Sequence, residues 1–303
     1  MQKTNLKAGE LMVRLTRLWK SWTGSIEPDM TPEHYCQEKA APVGSNFYYA
    51  ALFHSAPQKR SLHALFALQQ ELIDTVIECQ DAGVARIKLQ WWSEEIRRLF
   101  ANEARHPVSK ALQALQPELK LEQSSLLSMI MTNADAINPA QAESLEQLIE
   151  DKCRQLGACW QMAARACHYD DTQTSEFVVK IAGLCGALDH FQLARQHLNR
   201  GYSPFPRLEM EALGLNDNDL LCANKSASQR KLLTGLFTSL HRALVPYVTN
   251  LSDKEQPSIL FARVMARITQ TNCTLLQKQS ELIPSQALLL TPLRKLWIAW
   301  RTK

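Results

Sequence analysis

The chain contains no run of about 18 apolar residues, so no transmembrane helix is expected. Its beginning lacks the apolar core of a secretory signal, which argues against secretion and leaves a cytoplasmic or peripheral-membrane location, mitochondrial if the source is eukaryotic. None of the eight cysteines forms a Cys-x-x-Cys pair, and Cys153, Cys159 and Cys167 share one expected helix at spacings that make no zinc site. They read as reduced, buried, small apolar residues of a reducing compartment. Glycine (10) and proline (13) are scarce for 303 residues, which favours long helices. No strand alternation persists long enough to build a sheet, and no internal repeat suggests a solenoid. The net charge of +4 is too mild to imply nucleic acid, and no interior basic stripe is interleaved with aromatics. Between Asp189 and Glu209 there is no acidic residue at all.

What remains is a globular, helix-rich composition: 46% hydrophobic and 21% charged residues can supply one sizeable core. Helical patterning is expected over Asn46–His54, Gln58–Cys79, Asp81–Asn102, Pro107–Leu115, Leu119–Asn133, Gln141–Cys167, Ser175–Asn199, Ser226–Thr249, Pro257–Gln279 and Ser285–Arg301. The stretch from Gly24 to Pro42, with Pro28 and Pro32, reads as a connector. The expected architecture is a single all-α domain over residues 35–303, preceded at 1–34 by a basic amphipathic helix and linker.

That first helix carries Lys3, Lys7, Arg14, Arg17 and Lys20 against one acid, Glu10, with Leu6, Leu11, Leu15, Leu18, Trp19 and Trp22 at helical spacing. The other end, Leu293-Arg294-Lys295-Leu296-Trp297-Ile298-Ala299-Trp300-Arg301, is also basic and Trp-rich. Each end has two readings. One is a helix packed on the body with its cations in water. The other is attachment to an anionic membrane surface, and for the first end a transit peptide as well.

Asp74 and Glu78 are four residues apart on one expected helix and so share a face, a spacing at which two carboxylates can hold a hard cation such as Mg²⁺. Asp189 and His197, about two turns apart, could share another face, and a site of Asp74, Asp189 and His197 is conceivable. Adjacent Trp91 and Trp92 point about 100° apart, which suits one for the core and the other for a cavity or a neighbouring helix.

Several landmarks stand in a recognisable order. They are Ser45-Asn46-Phe47-Tyr48, Lys59-Arg60, Ala64-Leu65-Phe66-Ala67-Leu68, Leu89-Gln90-Trp91-Trp92-Ser93-Glu94-Glu95, His106-Pro107-Val108 and Arg200-Gly201-Tyr202-Ser203-Pro204-Phe205-Pro206. This order resembles the squalene/phytoene synthase family. The resemblance implies an isoprenoid synthase-like helical bundle around a central cavity. In that family two acidic motifs on facing helices bind Mg²⁺, which binds the diphosphate of a prenyl substrate. Ungapped alignment puts the first motif's metal positions on Ile73 and Ile77 and its arginine on Gln70. Sliding by one residue restores Asp74 and Glu78 but puts Glu71 at the arginine. Counting back from Gly201, the second motif's positions fall on Leu193 and His197. Isoleucine and leucine cannot ligate Mg²⁺.

The resemblance also supplies candidates. Ser45, Tyr48 and Arg60 match substrate-side segments, and Arg195 and Arg200 are cations left near the second motif for an anion. Phe47, Trp91 and Trp92 are expected near a cavity. No metal ligand is assigned unless the protein is active, in which case Asp74 and Glu78 would hold Mg²⁺. The degraded motifs resemble a diverged branch of the family that includes the mitochondrial complex I assembly factor 6. The expectation is therefore a protein without head-to-head prenyl transfer, acting as a membrane-associated assembly or lipid-handling factor with a prenyl or other lipid ligand and respiratory complex subunits as partners. The alternative is an active Mg²⁺-dependent transferase that joins two prenyl diphosphates into a squalene- or phytoene-like product.

Overall fold

The structure is a computed structural model and describes residues 30–79, 81–221, 226–249, 259–278 and 290–303. The basic helix expected at the start of the chain lies outside the described residues, as does Cys222. Among the described residues there are fourteen helices and no strand.

The first helix, α1 (Pro32–Ala40), lies in the stretch read as a connector. Thr31 caps it by accepting a hydrogen bond from the His34 backbone N–H, and Pro32 occupies the first turn, where its missing N–H costs nothing. After it come α2 (Asn46–Ala51), α3 (Ala56–Glu78), α4 (Ala82–Phe100), α5 (Pro107–Leu119) and α6 (Gln123–Asp135). The helix α3 starts at a capping box in which Ser55 and Gln58 satisfy each other's backbone N–H groups, with Pro57 in the first turn. Next are α7 (Leu145–Ala166), α8 (Thr172–Gln192), α9 (Ala194–Asn199), α10 (Arg207–Glu211) and α11 (Asp217–Leu221). The chain closes with α12 (Ala227–Thr249), α13 (Leu260–Lys278) and α14 (Pro292–Thr302).

Two features position the interior. The long helix α3 packs against α1, α4, α5, α6 and α7, while α8 packs against α7, α12 and α13. The α7–α8 contact is close because glycines leave room for it. A Cβ on Gly183 would sit 2.3 Å from Cys153 Sγ and 2.8 Å from the Ile149 carbonyl oxygen, distances that no side chain tolerates. Where α2, α3, α7 and α13 meet, Phe47 stacks on Phe66 at 3.9 Å between ring centroids, and Trp160 and Phe261 lie edge-on to Phe66 at 5.8 and 5.9 Å.

The helix expected over Ser175–Asn199 is interrupted. Leu193 leaves helical geometry, its N–H reaching back to the carbonyls of Asp189 and His190, and α9 begins at the next residue. The seven described cysteines are all free, and all but Cys153 are buried.

Candidate functional site

The first acidic stretch lies on α3. Its residues His63, Phe66, Gln70, Ile73 and Ile77 form one half-buried stripe along the helix, flanked by fully buried positions such as Leu65, Leu68 and Leu72. Asp74 and Glu71 sit beside that stripe and are held by α1. Lys39 Nζ is 2.8 Å from Asp74 Oδ2 and 3.2 Å from Glu71 Oε1. Gln70 Nε2 donates to the other Asp74 oxygen at 2.6 Å, and the Tyr35 hydroxyl donates to Glu71 at 2.6 Å. Desolvation works against the Lys39 charge, but Glu71 and Asp74 outweigh it and hold the ammonium above its ordinary value. Burial first, then the Glu71 carboxylate, push the Tyr35 phenol far above its ordinary range, so its proton stays in that hydrogen bond. Glu78, at the last turn of α3, is exposed and does not join this cluster.

The second stretch lies on α8 and α9. Asp189 keeps open surface although protein surrounds it, and desolvation raises its carboxyl to about 6 while Lys152 on α7 opposes the rise. Lys152 is itself lowered, by burial first, and donates to Gln155 Oε1 at 3.0 Å. His197 stacks on His190 with ring centroids 4.4 Å apart. Burial, with Lys152 and Arg200 nearby, lowers His197 to about 4, so both rings are neutral at pH 7. The Arg200 guanidinium is committed to backbone: it donates to the carbonyls of Val76 (2.8 Å), Ile77 (3.2 Å) and Cys79 (2.7 Å), the free end of α3. Arg200 thus joins the two motif helices as a cap. Arg195 and Arg60 are exposed.

Among the described residues no three His, Cys, Asp or Glu side chains converge to hold a metal ion, so the trio Asp74, Asp189 and His197 is not assembled. The family's Mg²⁺ does not fit the donor set. Ile73, Ile77 and Leu193 offer no oxygen, and Asp74 and Glu71 on the first motif helix share the Lys39 ammonium.

The remaining candidates have local duties. Ser45 caps α2, its Oγ accepting from the Tyr48 N–H at 3.0 Å, and the Tyr48 ring meets Tyr49 edge-on. Trp92 is buried, whereas Trp91 is half-buried under the Arg98 guanidinium. Glu95, from the same Trp-Trp-x-x-Glu segment, is fully buried and fully bonded. Arg98 donates twice to Oε2, at 2.8 and 2.7 Å, while the N–H groups of Arg105 and His106 donate to Oε1 at 2.7 Å each. It fixes the turn that starts α5, with the His106 ring set against Trp91, Trp92 and Tyr35.

Sequence reasoning missed Tyr35, Lys39 and Lys152. The first two had a signal in Thr31-Pro32-Glu33, a capping residue followed by proline and an acid, which marks a helix start. Lys152 had none, because the carboxylate whose charge it opposes, Asp189, lies on another helix.

Solved structures share this arrangement. A squalene synthase, HpnC from Alicyclobacillus acidocaldarius, superposes with a TM-score of 0.64 at 17% identity, covering 82% of this chain and 94% of that one. A dehydrosqualene synthase in complex with ligand superposes with a TM-score of 0.74 at 13% identity, covering 89% and 95%. Both are all-α structures of the isoprenoid synthase fold, and at these identities they establish the fold alone. No curated protein matches the chain. The squalene/phytoene synthase family profile matches residues 40–294, and the chain belongs to that family.

Proposed function

We propose that this protein does not join prenyl diphosphates and instead holds an isoprenoid or similarly apolar lipid against the half-buried stripe of α3, as a lipid-handling or assembly factor. The observation that carries this reading is Lys39, whose ammonium lies between Glu71 and Asp74. Ionising an allylic diphosphate requires several positive charges gathered on its oxygens. Here the one cation at the first motif is matched by two carboxylates, and Arg200 is matched by three carbonyls, so neither has charge to spare for a diphosphate. The stripe itself, with Phe66, Ile73 and Ile77, suits an apolar chain. Resemblance to the complex I assembly branch supports a role beside a respiratory complex. Extraction of the purified protein, with mass analysis of what is released, tests the binding half of the proposal. A stoichiometric apolar lipid, lost when Ile73→Arg is introduced, is the expected result. Protein that neither carries such a lipid nor binds added farnesol would contradict it.

A second reading is favoured by Asp189, a carboxylate with open surface on the helix where the family keeps its second motif. On that reading the protein is an active transferase with a rearranged metal site, and Asp189→Asn would abolish Mg²⁺-dependent diphosphate release.

A further inference from the structure

The closing helix α14 has its polarity reversed. The face it turns to the body carries Lys295, Ile298, Ala299 and Thr302, all buried. Lys295 Nζ donates to the Gly44 carbonyl at 2.8 Å, and Arg267 reaches Thr302 Oγ1 at 3.4 Å, so the helix is fixed against α2 and α13 and cannot roll. Its outward face carries Leu293, Leu296, Trp297 and Trp300, at i, i+3, i+4 and i+7. They are 79%, 39%, 56% and 62% exposed. Val43, 81% exposed, sits in the turn whose Gly44 carbonyl Lys295 holds. A helix that buries a lysine and exposes two tryptophans is not explained by folding, and a contiguous apolar patch of this kind marks a contact surface.

The charges around it identify the contact. Arg294 and Arg301 are exposed beside the stripe, Arg301 lying over the Trp297 ring at 5.3 Å, and no acidic residue follows Glu281 in the sequence. Tryptophan favours the membrane–water boundary and arginine and lysine favour anionic headgroups. The charge pattern also argues against the chain's own first segment as the cover, because residues 1–22 are themselves basic.

We propose that the outward face of α14 docks this protein on an anionic lipid bilayer surface. The stripe lies flat along the interface and Arg294 and Arg301 meet the headgroups. This holds whether or not the interior is catalytic.

The test is co-sedimentation of the full chain with vesicles of phosphatidylcholine alone or mixed with phosphatidylglycerol. Binding is expected only to the mixed vesicles, weakening as salt rises and accompanied by a blue shift of tryptophan emission. W297A/W300A should weaken binding about tenfold or more, and R294Q/R301Q should remove the preference for phosphatidylglycerol. Leu293→Ser, at the exposed helix start, probes the same face with least disturbance, and unchanged melting curves show that each variant folds. Equal binding to both vesicle types would overturn the proposal. So would binding that survives W297A/W300A and disappears in R14Q/R17Q, which would move the contact to the first segment. Finding instead that the protein is a dimer broken by W297A/W300A would assign the face to a second copy.

Discussion

The Lys39 ammonium lies 2.8 Å from the Asp74 carboxylate, and this contact joins α1 to the helix that bears the first acidic motif of the family. The family resemblance implies carboxylates that bind Mg²⁺ at this motif. Here Asp74 and Glu71 are turned to a lysine and a tyrosine from a helix that precedes the motif by thirty-odd residues of chain. The site is a polar cluster of one ammonium, one phenol and two carboxylates beside an apolar stripe.

Removing the lysine exposes two half-buried carboxylates to each other. Lys39→Met is expected to destabilise the protein by about 1–2 kcal/mol, since the pair is partly open to solvent and screened. Adding Asp74→Asn and Glu71→Gln should recover most of the loss, because the repelling charges go with the cation. Urea denaturation of the single, double and triple variants checks this, and strictly additive losses would show that the cluster is not coupled.

Glu95 carries a larger penalty. It is fully buried and receives Arg98 and two backbone N–H groups. Glu95→Ala is expected to cost about 3–5 kcal/mol by leaving Arg98 uncompensated and the turn before α5 unbonded. Thermal unfolding of the variant measures it. The acid of the Trp-Trp-x-x-Glu marker therefore serves the scaffold.

Much of this architecture was legible beforehand. The all-α class followed from scarce glycine and proline and from helical apolar spacing, and the family from the order of its landmarks. The starts of α3, α4 and α5 fell close to where capping residues and prolines put them: Ser55, Asp81 and His106 are the observed caps. Two things were not legible. Proline at position 32 reads as a breaker in sequence although the first turn of a helix welcomes it, and this hides α1 with Tyr35 and Lys39. The contacts that define the site join residues far apart in sequence: Lys39 with Asp74, Lys152 with Asp189, Arg200 with the carbonyls of Val76 and Cys79. Periodicity reports which face a residue is on, and says nothing of what another helix brings to that face. Arg200 looked like an anion binder because its charge was visible and the open carbonyls at the end of α3 were not.

Arg200→Ala is expected to cost about 1–3 kcal/mol, since three carbonyls lose their donor at a helix end. The effect should be local as well as global. Hydrogen exchange in the last turn of α3 should speed up more than in α7, and an even change across both helices would contradict the capping role.

Asp189 makes a pH-dependent prediction. Its folded-state value of about 6 lies above the ordinary carboxylate value of 3.8, so the folded protein holds a proton that the unfolded chain has already lost. Stability should therefore fall as pH rises from about 4 to about 6, and stay lower above that. Asp189→Asn removes the charge. It is expected to stabilise the protein at pH 7 by about 1 kcal/mol, a figure reduced for the open surface around the group. The gain should vanish at pH 4. Melting temperatures of both proteins at the two pH values decide it.

On the reading proposed above, Lys39 and Tyr35 engage the first motif's carboxylates, which no longer serve Mg²⁺-dependent chemistry. Release of diphosphate from farnesyl and geranylgeranyl diphosphate, measured with and without Mg²⁺ on folded protein, tests it most directly. The account predicts no release above the protein-free rate in either condition, for the natural chain and for Lys39→Met alike. Mg²⁺-dependent release with a joined prenyl product, abolished by Asp74→Asn, would contradict it and assign Asp74 to a working metal site.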